Sequence, residues 1–256
     1  MTDAIATTVA PVNGSVVPMR RAQLRRAGKG WRLRPWPNDP TALLLVLIDH
    51  STVPDLDDLA AATDEARRLG ATRLRTSALF PSATRVAFEA GFESIDTLAL
   101  LRLTLDDQLD VRLAAQHRVT TRPLRAWHDR RAAQVDQDAF GTMWGNDAGS
   151  LGDVRTATPV HRARYIGSRT RIAGFAISGA GGDSGYIQRL AVARTDRRRG
   201  VGHQLVVDAV AWMRDRGLAT AHVNTGLGNA PALALYEGLG FVRLDDRLTI
   251  AERRLT

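Results

Sequence analysis

The 256-residue chain is 44% hydrophobic, enough for a packed core, and 35 basic against 27 acidic residues leave a formal net charge of +8. With no cysteine, a disulfide framework, a thiolate nucleophile and a cysteine-ligated metal are excluded. No apolar run approaches the ~20 residues that span a bilayer, and residues 1–18 lack a signal peptide's basic start, so a cytoplasmic protein with no membrane partner is expected.

Residues 1–39 are rich in Pro, Gly, Val and Arg without sustained periodicity and read as a tail or loosely ordered lead-in. A short apolar run at 43–49 suits a buried strand. Residues 55–69 follow as a helix, acidic early and ending on Arg67 and Arg68 as the helix dipole favours, with Gly70 closing it. A strand at 72–76, helical spacing over 82–90 and a strand at 98–105 complete a small α/β unit over residues 40–112.

The second half opens with a strand near 119–122, and Pro123 precedes a helix running to Phe140. Strands at 171–178 and 185–192 are joined by a turn at 179–184. An amphipathic helix at 204–216 closes at Gly217, followed by a strand at 220–225, a helix at 230–239 and a last strand at 242–250. Alternating strands and helices predict a mixed α/β sheet. An internal repeat is also legible. Leu69-Gly70-Ala71-Thr72 through Glu89-Ala90-Gly91-Phe92 resembles Arg216-Gly217-Leu218-Ala219 through Gly238-Leu239-Gly240-Phe241. Both read helix end, strand, loop, helix, Gly-Phe, strand, and duplication explains this better than chance similarity of two ordinary units.

The strand through Leu190, Ala191 and Val192 runs by a polar turn into Arg197-Arg198-Arg199-Gly200-Val201-Gly202 and then a helix. Backbone N–H groups at a helix start lack internal partners and carry the positive end of the dipole. Gly200 and Gly202 let phosphate oxygens approach those donors, and the three arginines raise the local potential. The bland alternative is a glycine turn with a solvated basic edge. The stretch is not a Walker loop, and it lacks the third glycine of a dinucleotide fingerprint.

Arg197-x-x-Gly200-x-Gly202 resembles the Gln/Arg-x-x-Gly-x-Gly/Ala loop of the GNAT superfamily of N-acetyltransferases, and Leu190-Ala191-Val192 is similar to the end of that family's fourth strand. The resemblance covers residues 119–250. It implies a GNAT fold, a mixed central sheet flanked by helices, beside the smaller α/β amino-terminal unit. It also implies acetyl-CoA as cosubstrate. The pyrophosphate would sit on Arg197, Arg198, Arg199, Gly200, Val201 and Gly202, and the pantetheine arm on the backbone of Leu190, Ala191 and Val192.

Asn229-x-x-Ala232-x-x-Leu235-Tyr236, followed by Gly240-Phe241, resembles the family's second signature. Acyl transfer needs an amine nucleophile, a stabilised tetrahedral intermediate and a leaving thiolate. The resemblance gives Tyr236 the proton for that thiolate, and Asn229 either a cofactor contact or the cap of its helix ahead of Pro231. Many relatives place a glutamate on the fourth strand, where this chain has Gln188 and Arg189. A water-mediated base is therefore expected, oriented by His222 or Asn224 on the next strand, although a lone strand histidine is more often structural. Asp136, Asp138, Asp147, Phe140 and Trp144 fall in the region that by resemblance shapes the acceptor site, with surface exposure or core packing as their bland roles. In the first copy no Gly-x-Gly exists at 49–55, and Phe88 falls near the place of Tyr236 with no proton to give.

Residues 40–112 thus read as a degenerate partial GNAT-like unit and residues 117–256 as the catalytic domain. The expected activity is transfer of acetyl from acetyl-CoA to a primary amine, of a small molecule or a protein, with no metal. A non-catalytic acyl-CoA-binding or regulatory module is the alternative. Nucleic-acid binding through the basic stretch 20–26 ranks behind both, and a homodimer is compatible with this reading.

Overall fold

The computed structural model of the protein describes residues 6–8, 30–47, 53–106 and 120–255. Val119, the basic stretch 20–26 and the junction expected between 112 and 117 lie outside the described residues.

The first half comprises β1 (Ala6–Thr8), β2 (Trp31–Trp36), β3 (Asp39–Leu47), α1 (Leu56–Arg68), β4 (Arg73–Thr76), α2 (Pro81–Glu89) and β5 (Glu93–Thr104). The second comprises β6 (Arg122–Pro123), α3 (Asp129–Trp144), α4 (Ala148–Arg155), β7 (Val160–Gly167), β8 (Ile172–Gly181), β9 (Ser184–Val192), α5 (Val201–Asp215), β10 (Thr220–Gly226), α6 (Ala230–Gly238) and β11 (Val242–Arg254). Asp55 caps α1 by accepting from the Asp58 N–H at 2.7 Å, and Asp147 caps α4 through the Ser150 N–H at 2.7 Å.

Two expectations are corrected. Residues 31–39, read as part of a loose lead-in, form β2 and the start of β3, a hairpin turned at Asn38 with φ 59°. Trp31, Leu33 and Trp36 anchor it in the core. The second correction is that α4 and β7 occupy a stretch in which no element was predicted.

All these strands join one sheet in the order β2-β3-β4-β11-β5-β10-β9-β8-β7-β6, with β1 added on β9. The eight strands from β2 to β8 in this order are related by a pseudo-two-fold between β11 and β5. An antiparallel β2/β3 pair matches an antiparallel β8/β9 pair, and a parallel β3/β4 step matches a parallel β9/β10 step. Each half then donates its last strand to the other: β5 pairs with β10, β11 pairs with β4, and the two exchanged strands pair at the centre.

Alternation along the strands separates the two faces. Helices α5 and α6 cover Leu101, Leu103, Ala221, Val223, Leu190 and Val192, while α3 and α4 cover Phe175, Ile177 and Ala191 on the other face. On the first half, α1 and α2 cover Leu43, Leu45 and Leu74, and the end of α3 reaches across to the opposite face, packing Trp144 on Trp36, Leu44 and Val46. The Trp36 indole donates to the Met143 carbonyl at 2.9 Å and meets Trp144 edge to face.

Candidate active site

Although parallel, β9 and β10 pair only over Ser184–Tyr186 with Thr220–His222. Beyond that, β8 holds the far edge of β9 and β5 the far edge of β10, so a wedge opens between residues 187–192 and 223–226. The β8–β9 register slips between Ile177 and Ser178, leaving Gln188 as an extra residue, a bulge at the apex of the wedge.

The Arg197–Gly202 loop stands at the wide end of this wedge. Its anchor is Asp196, buried, paired with Arg171 and accepting from Thr195 Oγ1 at 3.0 Å. From there the chain turns through Arg198 at φ 58° and Gly200 at φ 76° into α5. Gly200 supplies a left-handed conformation that a side chain would strain. It is the N-cap residue of α5 and brings no side-chain acceptor, so the first-turn N–H groups keep their capacity for an external anion. A Cβ at Gly200 would find only Gln204 Nε2 at 3.7 Å, so the approach is open. Arg199 is 71% exposed beside it and Gly202 lies buried in the first turn. Leu190, Ala191 and Val192 line the edge of β9 with buried side chains.

Tyr236 lies on the α6 side of the wedge. It is fully buried with Leu190, Val192, Leu205 and Val223, and its ring meets Phe241 edge to face at 5.6 Å. His222 and Asn224 alternate with Ala221 and Val223 and therefore occupy the opposite face. The two signature elements thus bracket the wedge from its two sides.

The His222 ring stacks on Tyr186 at 5.8 Å with Nε2 3.0 Å from Thr220 Oγ1. Burial and then the Arg102 guanidinium push its pKa below the ordinary imidazole value, with Asp183 opposing them. The ring is therefore neutral near pH 7. Asn224 Oδ1 and Gln188 Oε1 are buried without a hydrogen-bond partner among the described residues. Two such acceptors call for a donor from beyond the described residues. Gly179 makes the room for Gln188, because a Cβ there would sit 2.8 Å from its amide.

The other candidates have structural roles. Asp136 and Arg189 form a buried bidentate pair at 2.6 and 2.7 Å, Arg189 also donates to the Trp144 carbonyl at 2.8 Å, and its guanidinium lies over the Phe140 ring. Asp138 accepts from the Arg194 N–H at 2.9 Å and Asp147 caps α4, so none of the three acids is placed as a base. Asn229 caps α6 through the Ala232 N–H at 3.3 Å while donating to Thr225 Oγ1 at 3.1 Å, the capping role of the two expected for it. One residue correspondence is corrected. The Phe241 N–H bonds the Tyr236 carbonyl and the Phe92 N–H bonds the Ala87 carbonyl, each at 3.0 Å. Ala87, not Phe88, is therefore the counterpart of Tyr236, and Phe88 is instead 46% exposed. Sequence reasoning missed the Gln188 bulge, which has no local signature. It also missed the Asp196 anchor, whose signal was a lone acid in an arginine-rich loop. A separate open cleft of about 480 Å³, lined by Arg85, Phe88, Asp245 and Asp246 among others, contains none of these groups.

A profile of the Acetyltransferase (GNAT) family matches residues 124–241. Ribosomal protein bS18-alanine N-acetyltransferase of Salmonella typhimurium is 37% identical over 116 residues, 43% of this chain and 72% of that protein. The chain belongs to the GNAT family. It is an acyl-CoA-dependent N-acetyltransferase, with acetyl-CoA as cosubstrate and an amine as acceptor, which sets aside the non-catalytic reading. N-alpha-acetyltransferase 30 of Xenopus laevis is 45% identical over 64 residues, spanning 25% of this chain and 23% of that protein. A tandem GNAT protein from the clavulanic acid biosynthesis pathway superposes with a TM-score of 0.60 at 15% identity, over 88% of this chain and 78% of that one. The GNAT fold similarity therefore extends through both halves. Among the described residues, no helix is long and apolar enough to cross a membrane, and no group of three His, Asp or Glu side chains is placed to hold a metal.

Proposed function

We propose that this N-acetyltransferase binds acetyl-CoA with its pyrophosphate on the Arg197–Gly202 loop and α5 N–H groups, its pantetheine arm along Leu190–Val192, and its thioester in the wedge. The observation that carries this reading is the wedge itself, with an uncapped helix start at one end and Tyr236 and His222 on its two faces. The primary amine enters from the His222 face, where Asn224 Oδ1 and Gln188 Oε1 accept from it or from an intervening water. Neutral His222 orients the water that takes the ammonium proton. Attack on the carbonyl gives the tetrahedral intermediate, whose collapse expels the thiolate toward Tyr236; the phenol protonates it and is restored by the proton that the nitrogen sheds on becoming an amide.

The acceptor we propose is the amino terminus of a polypeptide in the cytoplasm. The support is the similarity to ribosomal protein bS18-alanine N-acetyltransferase and N-alpha-acetyltransferase 30. The two halves we read as a duplicated unit that has lost its loop and its phenol in the first copy. The test is an acceptor screen with acetyl-CoA, following free thiol, across peptides with differing first residues, small amines and antibiotics. Thiol release selective for peptide amino termini supports the acceptor class. Release only with small amines overturns it.

A further inference from the structure

One long edge of β9 is filled by β8, from Gly174↔Val192 to Gly181↔Ser184 with the Gln188 bulge between them. On the other edge β10 takes only Ser184–Tyr186. The far end of that same edge is taken by β1, antiparallel, with Ala6↔Ala191, Thr7↔Leu190 and Thr8↔Arg189. β1 also packs against β10. The amino-terminal segment therefore lies inside the wedge, on the main chain of Leu190 and Ala191, where the proposed function puts the pantetheine arm.

A polypeptide strand and a pantetheine arm make the same demand on β9. Both are extended chains of amides that satisfy main-chain donors and acceptors along a strand edge. Both cannot occupy it at once. We infer that the amino-terminal segment of this chain is an intramolecular competitor of acetyl-CoA, which must leave the edge of β9 before the cosubstrate can seat. This rests on the groove assignment made under the proposed function.

Among the described residues the pairing covers three, about 10 Å of strand. Such a short addition is displaceable and acts by lowering the fraction of binding-competent protein. Apparent affinity falls by that fraction, and rises when the segment is removed. Because competition acts on binding and not on the acyl-transfer step, it raises KM for acetyl-CoA and leaves kcat at saturation alone.

The test compares the full chain, a chain lacking residues 1–8, and full-length Thr7→Pro, whose proline lacks the N–H and fixes φ within β1. Acetyl-CoA is titrated by calorimetry, and KM and kcat are read from thiol release. Both variants are expected to lower Kd and KM by about two- to tenfold with kcat unchanged. A peptide of residues 1–12 added to the truncated chain is expected to raise KM again. Kd and KM unchanged in both variants overturn the inference, as does a fall in kcat alongside KM. Gly202→Arg in the truncated chain separates the two levels of the argument. If it abolishes binding while truncation had no effect, the competitor is refuted and the groove stands. If it leaves Kd unchanged, the groove assignment fails and the inference falls with it.

Discussion

Asp136 on α3 and Arg189 on β9 are both fully buried, and the two carboxylate oxygens accept from the guanidinium at 2.6 and 2.7 Å. The pair ties the helix that covers the His222 face to the strand that forms one side of the wedge, and Asp136 also accepts from the Asn146 N–H at 2.6 Å. Removing one partner leaves an uncompensated buried charge, which costs about 3–5 kcal/mol. Asp136→Asn is therefore expected to lower unfolding stability by roughly that amount in urea titration. A loss of under about 1 kcal/mol would show that the pair is not holding α3 to the sheet.

The strand exchange makes a prediction about autonomy. A chain of residues 120–256 lacks β5, so β10 loses its antiparallel partner along its whole length and the core loses Leu101 and Leu103. The catalytic elements are then expected not to fold alone, lacking a cooperative thermal transition and binding no acetyl-CoA. A cooperative transition with acetyl-CoA binding in that fragment would contradict the interdependence.

Across the two halves, Arg34 of β2 approaches Asp153 of α4 at 3.4 Å. Burial outweighs the attraction of Arg34, and with nearby Asp147 it pushes the Asp153 carboxyl up to about 7. Burial and Arg32 push the Arg34 guanidinium down to about 10. Because the folded state holds the Asp153 proton more tightly than the unfolded state, its stabilising contribution is full below about pH 4 and is lost as pH rises through about 7. The slope from this one group is at most about 1.4 kcal/mol per pH unit. Asp153→Asn is expected to remove that decline, read as the difference between the two stability curves over pH 4–7. Parallel curves would exclude the shift.

His222 predicts the acid side of the rate profile. Its lowered pKa means that the neutral ring survives below the ordinary imidazole value of about 6.5, so the acid limb of kcat/KM falls below that pH. Asp183→Asn removes a group that raises the pKa and is expected to shift the limb further down. His222→Ala is expected to lower kcat/KM on the order of 10–100-fold and to abolish the limb. An unmoved limb in that variant would remove His222 from the proton path.

Much of the second half was legible because its signals are local. The apolar strand ending at Val192, the arginine–glycine loop and the amphipathic α5 each carry their period and punctuation within about a dozen residues. β2 was not legible, since the alternation Trp31-Arg32-Leu33-Arg34 lasts only four residues before Pro35 breaks it. Arg34 is buried only because Asp153, 119 positions away, comes to meet it. β7 hid in the same way behind His161, Arg162 and Arg164. Asp136 reads as a surface acid until Arg189, 53 positions on, folds over it. The repeat is visible in the Gly-Phe endings, yet sequence spacing alone sets Phe88 near the place of Tyr236. Only the hydrogen bonds that close the two helices fix the register on Ala87. Strand exchange leaves no local trace, because pairing of β5 with β10 is set by packing between distant segments.

Acyl transfer with Tyr236 as the acid is tested most directly by Tyr236→Phe, with free thiol followed at saturating acetyl-CoA and acceptor amine. Phenylalanine preserves the packing on Phe241 and Leu190 and removes only the hydroxyl. The expected result is a fall in kcat of about 100-fold or more, with Kd for acetyl-CoA within about twofold of the parent. Thiol release at the parent rate would contradict Tyr236 as the group that protonates the leaving thiolate.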